Sequence, residues 1–116
     1  MTTDRTSVAL AAVRTAGVLA VVTIAVLSLV PGHLRPNVPI DHQHFMAYFI
    51  TAVLLSCGYG NWNPVAIATP MALYALALEI AQKFVPGRHP AFADFAEGTA
   101  GAVVGVLFLR LAASLV

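Results

Sequence analysis

Asp41, His44, Glu79, Gln82, Arg88 and Asp94 are the residues of this chain that could do chemistry, and they stand out because 59% of the sequence is hydrophobic. Carboxylates can move protons, an imidazole titrates near neutrality, and a guanidinium can grip an anion through paired hydrogen bonds. Ionisable groups at the margins of membrane helices are expensive, so they default to a functional-site reading. Glu79, Asp94 and His44 are the candidate catalytic groups, and Asp41, Tyr48, Gln82 and Arg88 the candidate ligand-binding groups. A metal held by Asp41, His44 and Glu79 is a poor match to the His-rich sets usual for zinc, so neither a metal nor another cofactor is expected.

These residues must be positioned by membrane helices. A chain of 116 residues with mean hydropathy +0.86 and 9% charged residues carries more apolar surface than one small soluble core can hide. Its apolar residues run all round the predicted helices instead of forming a stripe, which favours lipid over a soluble helical bundle. The net charge of +1 and the scattered basic residues exclude a nucleic-acid partner. The single cysteine, Cys57, lies in an apolar stretch and is expected to serve packing. Arg5 and Arg14 precede the run from Thr15 to Val30, which is long for a cleaved signal core and ends in the turn Pro31-Gly32, so its retention is expected.

Turn chemistry divides the chain into four helices, at about 7–30, 41–57, 64–84 and 91–115, in one transmembrane domain. Asp41 is a plausible N-cap for the second helix. Asn63 followed by Pro64 starts the third, because Asn caps and proline is tolerated at the first helical position. Pro70 falls inside the third helix and is expected to kink it. Val85-Pro86-Gly87 stops that helix, and Tyr59 and Trp62 mark the opposite interface. The fold expected is an all-α, antiparallel four-helix transmembrane bundle.

Steps of three and four residues stack side chains on one helical face. The second helix then presents Asp41, His44, Tyr48 and Thr51, the third Ala68, Ala72, Ala75, Glu79 and Gln82, and the fourth Asp94, Gly98, Gly101 and Gly105. Gly101 and Gly105 have the spacing of close helix contacts, and the faces of the second, third and fourth helices are expected to pack on one another, the small faces of the third and fourth lining the interior. The start of the second helix, the end of the third and the start of the fourth share one side of the membrane. Asp41, His44, Glu79, Gln82 and Asp94 then surround a shallow polar cavity, with Arg88 above it on a loop. Structural roles compete: Asp41 and Asp94 as N-caps, each worth about 1 kcal/mol, and Glu79 as the buried ion-pair partner of Arg88. Co-location is what favours a site.

The sequence resembles the VanZ-like family of small bacterial membrane proteins. The resemblance lies in Leu29-Val30-Pro31-Gly32, in Asp41-His42-Gln43-His44-Phe45-Met46-Ala47-Tyr48, and in Leu78-Glu79-Ile80-Ala81-Gln82 followed by Pro86-Gly87-Arg88, Asp94, Gly101 and Gly105. It covers nearly the whole chain. His42 stands where the family commonly has lysine, and Gly98 where it commonly has asparagine, which removes an amide from the proposed cavity. The resemblance implies a four-helix protein of the bacterial cytoplasmic membrane, in a family named for a member associated with teicoplanin resistance, and it supplies no reaction.

Three functions follow as expectations. The first is binding or processing of an amphiphilic or lipid-linked cell-envelope molecule, with Arg88 holding an anionic head group, Glu79 or Asp94 as general base and His44 as proton carrier. The second is a small proton-coupled exporter, against which Thr15 to Val30 contains no ionisable residue. The third is an assembly protein without catalysis. Arg5 and Arg14 outweigh Arg35 around the first helix, so the N-terminus is expected in the cytoplasm and the polar cluster outside it.

Overall fold

Four apolar runs become four helices in a computed structural model that describes residues 5–31, 43–60, 62–88 and 91–115. They are α1 (Arg5–Leu29), α2 (Gln43–Gly58), α3 (Pro64–Gln82) and α4 (Phe92–Ser114). Their ends differ from the sequence-based bounds by at most two residues. Asp41, the expected cap of α2, lies outside the described residues.

Each boundary has a local cause. The Asn63 side chain accepts a hydrogen bond from the Val65 N–H at 2.8 Å, and Pro64 occupies the first helical position where its missing N–H costs nothing. α3 continues through Pro70, which deprives the Ala66 carbonyl of its helical donor. After Gln82 the chain turns on Gly87, whose φ of 74° lies in the left-handed region that suits glycine. Asp94 does not cap α4. The N-cap is Ala91, without a side-chain cap bond, and Asp94 sits in the first turn, where its charge favours the positive end of the helix dipole.

α1, α3 and α4 are long and apolar enough to cross a membrane, and α2 is a shorter apolar helix of 16 residues. At the helical rise α2 reaches about 24 Å, less than the ~30 Å hydrocarbon layer. Only 11% of the most apolar window of α1 is buried. Val18, Leu19, Val22 and Val26 on α1, Leu73 and Ile80 on α3, and Leu107, Phe108 and Leu111 on α4 are exposed. An apolar surface this extensive needs lipid, not water, around it.

Packing follows the sequence reading for the faces of α2 and α4 and departs from it at α3 and at Cys57. The glycines of α4 face α2, and α2–α4 is the most extensive helix contact; among the described residues α1 and α4 do not meet. A Cβ at Gly98 would press on the Tyr48 ring, one at Gly101 would run into the Phe45 carbonyl, and one at Gly105 would meet the Phe49 carbonyl at 2.7 Å. Spacings of three and four put these glycines on one face, and the absence of side chains lets the two backbones approach. The buried face of α3 is Ile67, Met71, Ala75, Leu78 and Gln82, rotated from the alanine stripe that includes Ala68 and Ala72. Cys57, expected to pack, is exposed on the last turn of α2.

Candidate functional site

Four helix ends converge on the polar residues. His44 comes from the first turn of α2, Glu79 and Gln82 from the last turn of α3, Asp94 from the first turn of α4, and Ser28 from the last turn of α1. Together with Tyr48, Ala75, Leu78 and Phe95 they line one cavity. Its volume, about 10 Å³, is room for a single water. The expected cavity is therefore present among the described residues but nearly closed.

His44 and Asp94 form the rim. The imidazole Nδ1 lies 3.6 Å from Asp94 Oδ1, and the two side chains are 25% and 32% exposed. That separation is too long for a direct hydrogen bond and suits a bridging water or a small rotation of either group. Beside them, Glu79 has Asp94 and Lys83 as charged neighbours and lies close to the backbone N–H of Ala91. The carboxylate thus sits at the start of α4, where Ala91 offers no side-chain cap. Two carboxylates and one imidazole at a helix N-terminus can relay a proton between the rim and the interior.

The remaining groups hold the frame. Gln82 is 4% exposed and donates from Nε2 to the Ser28 carbonyl at 3.0 Å, tying the end of α3 to the end of α1. Arg88 does not line the cavity. Its Nη1 donates to the Leu27 carbonyl at 2.9 Å and to the Val30 carbonyl at 3.1 Å, closing the last turn of α1, where carbonyls lack helical donors. Tyr48 is buried against Gly98, with its ring 6.4 Å from that of Tyr74. Thr51, on the same stripe, spends its hydroxyl on the Ala47 carbonyl within α2 and is a structural residue.

Sequence reasoning grouped Asp41, His44, Glu79, Gln82 and Asp94 around a cavity; the structure brings the last four together with Tyr48 beside them, and Asp41 lies outside the described residues. Sequence reasoning missed Ser28, Phe95 and Tyr74, whose hydroxyl donates to the Val21 carbonyl and joins α3 to α1. Tyr74 had a usable signal: a phenol in the middle of an apolar helix needs a hydrogen-bond partner on a neighbour. Among the described residues no three His, Cys, Asp or Glu side chains converge closely enough to hold a metal ion.

Comparisons with protein-family models, with curated proteins and with solved structures give no match to this chain.

Proposed function

We propose that the chain is a VanZ-like, antiparallel four-helix transmembrane bundle of the bacterial cytoplasmic membrane that binds or processes the polar head of an amphiphilic or lipid-linked cell-envelope molecule. The observation that carries this reading is the partly exposed His44–Asp94 pair at the mouth of a cavity that also contains Glu79. A cavity with room for one water admits a proton or a water, so the head group engages at the rim. Asp94 and His44 meet it there, and Glu79 exchanges protons from behind. Arg88 acts by fixing the end of α1, which forms the wall carrying Ser28. The exporter alternative has less support, because α1 offers the interior no ionisable residue along Thr15 to Val30.

The test is complementation. Asp94→Asn and His44→Ala are expected to reach wild-type membrane abundance while losing the envelope phenotype, read as teicoplanin sensitivity. Loss of a general acid or base typically costs 10²–10⁴-fold in rate. Full complementation by both variants rejects the assignment.

Orientation is tested separately. The balance of arginines around α1 favours a cytoplasmic N-terminus, and the polar cluster then faces outward. Cys57 is exposed and dispensable for packing, so a Cys57→Ala background is usable. In it, His89→Cys is expected to react with an impermeant thiol reagent in intact cells and Thr3→Cys to be protected. The opposite pattern reverses the topology.

A further inference from the structure

A second cavity lies at the other end of the molecule, independent of the polar cluster. It is an apolar groove of about 280 Å³ between α1, α2 and α3, near the lower end of small-molecule pockets. Its walls include Val21 and Ile24 of α1, Leu55 of α2, and Ala66 and Met71 of α3. From Ala66 to Tyr74 it follows α3 for about 12 Å. The bond from the Tyr74 hydroxyl to the Val21 carbonyl bridges α3 and α1 at its deep end. Tyr59 and Trp62 line its mouth, with ring centroids 5.4 Å apart.

The mouth is cationic. The Arg14 guanidinium lies over the Tyr59 ring at 4.8 Å, with Nε donating to the Gly58 carbonyl at 2.7 Å. Arg110 donates from Nη2 to the Trp62 carbonyl. Both side chains are exposed and anchored by one hydrogen bond each, which leaves further guanidinium N–H groups to present. Aromatic rings of this kind sit at head-group level in membranes, so the two cations are held where lipid phosphates lie.

We propose that this groove seats one acyl chain of an anionic phospholipid whose phosphate lies against Arg14 and Arg110. Charge complementarity at the mouth and an interior whose Thr51 and Tyr74 hydroxyls are already bonded to backbone carbonyls select the occupant. A neutral or zwitterionic lipid satisfies the groove but not the paired cations. A peptide would bring backbone polar groups into a channel whose lining offers them almost no partners.

Trp62 is the sole tryptophan and lines the groove, so quenching by brominated lipid reports occupancy directly. In neutral detergent micelles, phosphatidylglycerol brominated on its acyl chains is expected to quench Trp62 at about tenfold lower mole fraction than brominated phosphatidylcholine, from two charges near the head group. Raising salt to about 1 M, where the Debye length is ~3 Å, is expected to erase most of that preference. Arg110→Gln weakens it, and Arg14→Gln with Arg110→Gln removes it; the salt response of the unaltered protein stands even if the double variant folds poorly. Ala66→Phe, at an exposed groove position, is expected to reduce quenching by both lipids. Equal quenching by the two lipids, or undiminished quenching in Ala66→Phe, overturns the proposal. Protection of Trp62 that grows with protein concentration, alongside cross-linked dimers, assigns the groove to a second copy and also overturns it.

Discussion

Gly101→Leu is expected to abolish folded protein in the membrane, and Gly101→Ala to lower the thermal midpoint in detergent. At this position a Cβ meets backbone, the Phe45 carbonyl and its carbon, not the flexible end of a side chain. Neither helix can yield locally, so α2 and α4 must separate along their length. Ala52 and Ala102, both fully buried, and Gly105 against Phe49 would lose contact together. Overpacking typically costs about 1–3 kcal/mol, which is the expectation for alanine; leucine brings three further carbons into the same space and exceeds it. Gly60→Ala is the matched control, since its Cβ would be 3.5 Å from the nearest heavy atom, the Ser56 carbonyl, and its expected change is within about 0.5 kcal/mol. An unshifted midpoint in Gly101→Ala contradicts the close α2–α4 contact.

That contact shows where the sequence was legible and where it was not. Gly98, Gly101 and Gly105 announced a close approach through spacing alone, but spacing carries no information about which helix approaches. The faces of α2, α3 and α4 were all expected to meet, and the closest approach is to α2, through Phe45, Tyr48 and Phe49. Asn63-Pro64 was fully readable because its capping bond is local, reaching only to Val65. Asp94 was left open between cap and site because an acidic residue near a helix start suits both the cap and the first turn, and the structure puts it in the first turn.

The same division runs through the site. His44, Glu79, Gln82 and Asp94 could be grouped from helix lengths, because a residue at a known helix end has a known height in the bilayer. Partners across helices could not. Arg88 was matched to Glu79 by charge, whereas its bonds to Leu27 and Val30 serve α1: a guanidinium also satisfies helix-terminal carbonyls. Those carbonyls, like that of Ser28 for Gln82, belong to every residue alike and leave no mark in the sequence.

Glu79→Gln separates the two roles that its surroundings allow. Its carboxylate lies beside the Ala91 N–H at the start of α4, where an amide oxygen is an acceptor too. Proton transfer needs the acid itself, and an amide of the same shape cannot supply it. The expected result is normal abundance and thermal midpoint with the envelope phenotype lost, the rate penalty again being about 10²–10⁴-fold. Glu79→Leu removes the polar group beside the α4 N-terminus as well, so it is expected to lower the thermal midpoint besides. A stable Glu79→Gln protein with full activity ends the proton-transfer role and leaves Glu79 as the group that completes the α4 N-terminus. Activity that falls only in step with abundance across Glu79→Gln and Glu79→Leu leads to the same conclusion, because a shared structural defect then accounts for both. Activity lost in both variants, with stability lost in Glu79→Leu alone, requires the carboxylate to be chemical and structural at once.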